Sequence, residues 1–178
     1  MPDSAALDAG TFGHWLDDVR AAIRGERDAD VACGTCVGCC AASQFVHIGP
    51  DETDALAHIP PELLFPAPGM PAGTVLMGYD EHGRCPMLTD AGCTIYEHRP
   101  RTCRTYDCRV FPATGVFPDE PEKAQVAERA RRWVFQHPSA ADRARHDEVV
   151  AVAVALRAQH PDAPATALAV RAVSVAGS

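Results

Sequence analysis

Aromatic side chains make up only 6% of this 178-residue chain, and many of its apolar residues, 47% in all, are alanine. Alanine buries little surface, so the apolar core is expected to be thin, and a bound metal is a plausible supplier of part of the folding energy. No run of about 18 apolar residues occurs, so no segment is expected to span a membrane. Met1-Pro2-Asp3-Ser4 carries acid where a secretion signal carries base, and no apolar stretch follows. A basic surplus is missing as well. The formal net charge is −8 and the pI is near 5.4, which excludes nucleic acid as the default partner, because phosphate binding needs a basic face. No Ser/His/Asp order, paired-carboxylate motif, phosphate loop or internal repeat stands out. Together these absences lead to the expectation of a cytoplasmic location.

What the chain does have is eight cysteines, all between positions 33 and 108. Four stand in Cys33-Gly34-Thr35-Cys36-Val37-Gly38-Cys39-Cys40, and Cys85, Cys93, Cys103 and Cys108 follow. Thiols at i, i+3, i+6 and i+7 of a short loop can wrap one ion or one cuboidal cluster, and Gly34 and Gly38 let the backbone turn tightly around it. In a reducing compartment clustered thiols hold metal more often than disulfides, and the adjacent Cys39 and Cys40 make a set of four bridges awkward.

Thiolates in fours select zinc or an iron–sulfur cluster over magnesium or calcium. A zinc site built from two knuckles shows two separated C-x2-C pairs. The first half here, C-x2-C-x2-C-C, is closer to the consecutive ligation of bacterial ferredoxins, which favours an iron–sulfur cluster over zinc. The second half, Cys85-x7-Cys93-x9-Cys103-x4-Cys108, is too loosely spaced to define a site alone. Eight thiols can make two four-ligand sites, one closed site with spare thiols, or a binuclear cluster. The two halves are expected to converge in space, with all eight cysteines as candidate metal ligands.

Along the chain, Phe12, Trp15, Leu16, Val19 and Ile23 lie on one face of an amphipathic helix, with Thr11 as N-cap and Gly25 as stop. Trp15 is expected to cover one side of the cysteine site. Residues 44–48 and 74–79 read as strands, and 51–57 as a brief helix capped by Asp51 or by the Gly49-Pro50 turn. The proline-rich stretch from Pro60 to Gly73 reads as a surface loop with no regular element. Two turns between short β-runs suggest a small hairpin presenting Cys85 and Cys93, and residues 103–108 a helical turn or tight loop. Helices are expected over 121–136, 140–159 and 163–175. Arg129, Arg131 and Arg132 read as a solvated face, and the Ala/Val-rich tail either packs back on the core or makes a contact with a protein partner or a second copy.

The fold class is therefore α+β: a small irregular cysteine-rich metal-binding core with short strands, flanked by an N-terminal helix and C-terminal helices. Residues 1–118 are expected to form the metal-binding domain with its N-terminal helix, and 119–178 a helical extension packed on it.

The combination of Cys33-x2-Cys36-x2-Cys39-Cys40, Cys85-Pro86-Met87-Leu88, Cys93-Thr94-Ile95-Tyr96-Glu97-His98-Arg99-Pro100 and Cys103-Arg104 resembles the YkgJ-type cysteine-cluster proteins. This family carries the CxxCxxCC zinc- or iron-chelating domain, and the resemblance covers about residues 30–110. A larger relative by resemblance, the flagellin lysine-N-methylase, is associated with an iron–sulfur site in methyl transfer. This chain lacks a Gly-rich methyl-donor fingerprint, since Gly13, Gly25 and Gly34 are not arranged as one, so that activity does not carry over.

Arg99, Arg101, Arg104 and Arg109 crowd the second half of the motif with Glu97 and Asp107. A tetrathiolate zinc site is formally anionic, and nearby guanidinium groups offset that charge. In the sharper reading Arg99 and Arg104 hold an anionic substrate or cofactor beside the metal. Tyr96 and Tyr106 read as packing residues with a hydrogen bond, and His47, His82 and His98 as surface or satisfied histidines. Three functional classes follow: a metal-binding protein whose ion or cluster is structural or stored, an iron–sulfur enzyme of methyl transfer or redox type, and a zinc-stabilised interaction module. The first is preferred, because ligands are visible and a catalytic base is not.

Overall fold

A computed structural model describes residues 5–29 and 31–177. The acidic start at residues 1–4 lies outside them. The chain opens with a strand, β1 (Leu7–Thr11), that runs directly into a helix, α1 (Phe12–Ile23). The helix has the expected bounds, and Gly25 ends it at φ +76°, where a side chain would be strained. Thr11 stands at the N-cap without a side-chain capping bond. The face that α1 buries is Phe12, Trp15, Leu16, Val19 and Ala22, and Ile23, expected on that face, is 38% exposed.

After the cysteine loop come β2 (Val46–Ile48), α2 (Thr53–His58), β3 (Leu64–Pro66) and β4 (Val75–Met77). The three strands form an antiparallel sheet in the order β2-β4-β3. The proline-rich stretch is therefore not irregular throughout, because Leu64 pairs with Met77 and Pro66 with Val75. An edge strand tolerates Pro66, whose missing N–H removes no bond from the central ladder. Glu52, not Asp51, occupies the N-cap of α2, and the Asp51 carboxylate is turned to Arg101 at 2.6 Å. The expected hairpin follows as β5 (Leu88–Thr89) and β6 (Gly92–Cys93), with Leu88 opposite Cys93.

The remainder is α3 (Arg101–Thr105), α4 (Val110–Thr114), α5 (Ala124–Arg131), β7 (Trp133–Gln136), α6 (Ala140–Gln159) and α7 (Ala165–Val175). The expected helix over 121–136 is shorter than read. It ends at Arg131, and Trp133–Gln136 is a strand parallel to β1, with Leu7 opposite Trp133. In β7, Trp133 and Phe135 face inward while Val134 and Gln136 face out, the two-residue alternation of a half-buried strand.

The fold is mixed α+β, as expected. Its largest core joins β1 and β7 to α1 and α4–α7 through Phe12, Leu16, Phe111, Val126, Phe135, Val149 and Val173. A second core lies under the three-stranded sheet, made by Ile48, Ile59, Met77, Met87 and Ile95. Ala153, Leu156, Leu168 and Ala172 join α6 to α7. The alanines let these helices approach closely, and the tail packs back on the core.

Candidate metal centre

The cysteine loop is wound by short backbone bonds. Cys36 N–H donates to the Cys33 carbonyl at 3.0 Å and Cys40 N–H to that of Val37 at 2.9 Å. Cys39 and Cys40 lie in a 3-10 turn, Gly38–Ala41. Gly38 is buried against α5, where a Cβ would stand 3.3 Å from the backbone of Gln125 and Val126, so only glycine lets the loop sit there without displacement. The second half of the motif is tied to the same loop: Cys85 N–H donates to the Cys40 carbonyl at 2.7 Å, and Ser43 N–H to that of Gly83 at 2.9 Å. Cys93 comes from β6, Cys103 from α3, and Cys108 from the turn entering α4.

The two halves converge, and they interleave. Cys39 interacts electrostatically with Cys85 and Cys103, which also feel Cys93. Cys33 and Cys36 instead act on Cys108. Cys39 links the groups, since it acts on Cys33 and its thiol is hydrogen-bonded to that of Cys40. Cys85, Cys93 and Cys103 pack against the core under the sheet, and Cys108 against the larger core. The thiols therefore occupy the seam between two apolar cores.

Burial pushes Cys103 and Cys108 up to about 12, and neighbouring thiols add to the rise. Cys33 and Cys85 are raised for the same reasons, and Cys39 by its bond to Cys40. Mutual opposition to ionisation is what a cation removes, and thiolates are the metal-ligating form. Among the described residues the sulfurs are not drawn together as tightly as the shell of a single ion. The one set of three ligand atoms within 4.8 Å of one another among the described residues belongs to Asp54, His58 and His98. Rotation about the Cys χ1 bonds is the freedom available for drawing sulfurs inward.

Residues around the thiols supply N–H groups and positive charge. Trp133 Nε1 donates to Cys108 Sγ at 3.3 Å. Arg129 Nη2 donates to the Ala32 carbonyl at 2.9 Å and the Cys33 carbonyl at 3.3 Å, and its charge favours the Cys33 thiolate. The Arg129 Nε is buried without a partner. An orphaned donor beside a group of eight thiols, whose thiolate forms ligate soft metals, fits a thiophilic metal or cluster. The arginine run is a solvated face only in part: Arg131 is exposed, with its guanidinium 5.0 Å over Phe117, while the half-buried Arg132 donates from Nε to the Ala5 carbonyl at 3.0 Å and Arg129 turns toward the cysteine loop. Beside Cys108, the buried Asp107 accepts from Trp15 Nε1 at 2.9 Å and pairs with Arg109 at 2.7 Å. Tyr106 is hydrogen-bonded to Gln44, and burial raises its pKa.

Arg99 Nε donates to the Tyr96 carbonyl at 2.7 Å, and its guanidinium lies 3.6 Å over the Tyr96 ring. Arg104 donates to the Arg99 carbonyl at 3.0 Å and to both carboxylate oxygens of Asp28 at 3.0 and 3.1 Å. Both arginines line an open cleft of about 260 Å³ with Asp51, Glu52, Asp54 and Arg101. Arg99 also favours the Cys103 thiolate. His47 and His82 lie on the surface, and His98 sits with Asp54 and His58. Sequence reasoning missed Arg129 and Trp133. Their signal was the Trp-Val-Phe-Gln alternation, which ends the helix and turns Trp133 inward.

An α+β domain that gathers eight thiols from two halves of a motif is a cysteine-rich metal-binding domain. A family model matches residues 32–131, more than half of the chain, and the chain belongs to that family, CxxCxxCC, described as a "putative zinc- or iron-chelating domain". Neither the curated proteins nor the solved structures gave a match.

Proposed function

We propose that the protein chelates iron, as an iron–sulfur cluster, through the thiols of Cys33, Cys36, Cys39, Cys40, Cys85, Cys93, Cys103 and Cys108. The observation that carries this is the interleaving of the two halves, with Cys39 acting on Cys85 and Cys103 while Cys33 and Cys36 act on Cys108. Trp133 and Arg129 supply the N–H donors and positive charge that hold cluster thiolates and tune their potential. Arg99 offsets charge at Cys103, and Arg99 with Arg104 lines the cleft where an anionic ligand would enter.

Zinc is the second reading, favoured because Cys33 and Cys36, a C-x2-C pair, act on Cys108 in the other half of the motif as well as within their own loop, as separated sets of zinc ligands do. Anaerobic purification followed by an absorption spectrum and metal analysis separates the two. Brown protein with broad absorbance near about 400 nm supports iron–sulfur ligation. Colourless protein with stoichiometric zinc supports the second reading, and protein retaining neither metal sinks both.

A further inference from the structure

We propose that Asp54, His58 and His98 form a separate site for a borderline divalent cation such as Ni2+, Zn2+ or Cu2+. Asp54 and His58 stand four residues apart on α2 and so share one helix face. A 3-10 turn, Tyr96–His98, brings the third side chain across from the other half of the cysteine motif. The two imidazoles stack face to face, with centroids 3.5 Å apart and planes 4° from parallel. His98 Nδ1 lies 2.9 Å from Asp54 Oδ2, and His58 Nδ1 lies 3.7 Å from Asp54 Oδ1 and 2.8 Å from the Asp54 carbonyl.

Metal–ligand bonds of about 2.0–2.2 Å put neighbouring ligand atoms about 3.0–3.6 Å apart in octahedral or tetrahedral geometry. The separations of 2.9 and 3.7 Å bracket that spacing. The imidazole lone pairs lie in the ring planes, so an ion entering between the carboxylate and the two Nδ1 atoms turns the stacked rings about their side-chain bonds toward one point, replaces the protons held there and releases them to solvent. Two imidazoles and one carboxylate select a borderline metal, since calcium and magnesium want an oxygen shell. All three side chains are solvent-accessible, at 69% for Asp54, 41% for His58 and 39% for His98. Three protein ligands leave coordination positions open, so the site exchanges its ion and admits a further ligand, unlike a closed structural site. Asp54 also lines the cleft of Arg99, Arg101 and Arg104, which admits an anion to such a position.

The test is Ni2+ titration of the protein as purified, with thiol-bound metal quantified before and after. Wild type should bind one additional Ni2+ per chain, and the His58→Ala/His98→Ala variant should not. His82→Ala, on an exposed turn away from this group, should bind as wild type does. Asp54→Asn should weaken binding, and circular dichroism confirms that each variant is folded. Thiol-bound metal should be unchanged throughout. Wild type that takes up no additional Ni2+ would overturn the proposal, as would a double-histidine variant that binds it as tightly as wild type.

Discussion

Replacing Arg109 by methionine isolates the charge pair beside Cys108. The Asp107 side chain is 1% exposed and that of Arg109 13%. The carboxylate accepts from Arg109 Nη2 at 2.7 Å, from Arg109 Nε at 2.9 and 3.0 Å, from the Arg109 backbone N–H at 2.9 Å and from Trp15 Nε1 at 2.9 Å. Arg109→Met leaves that carboxylate buried without its counter-charge, and breaking a buried pair this way costs about 3–5 kcal/mol. Asp107→Asn leaves a guanidinium that can turn toward solvent, and the amide oxygen can still accept from Trp15. Its cost should be about 1.5–2 kcal/mol, the scale of one hydrogen bond to a charged group. The prediction is thus an order, Arg109→Met worse than Asp107→Asn, as well as a size. Against a typical domain stability of about 5–15 kcal/mol, the first variant should sit near the edge of cooperative folding. Urea unfolding followed by tryptophan fluorescence, at matched metal content, measures both. Arg109→Met within about 1 kcal/mol of wild type, or Asp107→Asn as the costlier change, would show that Trp15 and the backbone N–H hold the carboxylate unaided.

Removing metal with a strong chelator should lower the thermal midpoint seen by circular dichroism, because the thiols lie between two cores; an unchanged midpoint would mean that the cores hold themselves. Trp133→Phe removes the donor to Cys108 and should weaken metal binding about 10–100-fold in chelator competition, with equal affinities speaking against a tuning role. Burial holds His137 and His146, hydrogen-bonded to each other at 2.8 Å, below the usual histidine range. Their contribution to stability is therefore present above the unfolded value of about 6.5 and is lost as pH falls through the folded values. Denaturation midpoints taken above and below that pH should diverge more in wild type than in His146→Gln, and parallel pH dependence would rule the pair out.

The elements legible in the sequence are those whose period survives in the fold. Phe12, Trp15, Leu16 and Val19 give α1, and α6 matches the expected 140–159. Helix 121–136 was overextended because Val126, Ala130 and Val134 continue a four-residue spacing past Arg131, while Val134 is 55% exposed on a strand. β1 was invisible for a different reason. Asp8 and Gly10 are poor strand formers, and this strand exists through pairing with residues more than a hundred positions away. The thiols could be gathered from their spacing, but not sorted, because the bond from Cys85 N–H to the Cys40 carbonyl sets which sulfurs meet. Arg129 is hidden in the same way. A run of three arginines carries no sign of which one turns inward, and only the packing of α5 on the cysteine loop decides it.

The adjacent cysteines follow from the seam. A chain whose apolar content is largely alanine makes close helix contacts around Ala130, Ala153, Ala169 and Ala172, but few large buried side chains. The core under the sheet is built from Ile48, Met77, Met87 and a few neighbours, too little to fix its position against the helices by area alone. Cys85, Cys93 and Cys103 belong to that smaller core and Cys108 to the larger one. A loop serving both sets must place sulfur between them within a very short span. Two consecutive residues in a 3-10 turn do this, with the Cys39 and Cys40 thiols hydrogen-bonded to each other and Cys39 acting on both Cys33 and Cys103. Gly38 seats the loop on α5 from the larger core, and the Cys40 carbonyl receives Cys85 from the smaller one. Cys39 and Cys40 thus stand where backbone bonds already join the two cores, and under the proposed function ligand bonds would join them a second time.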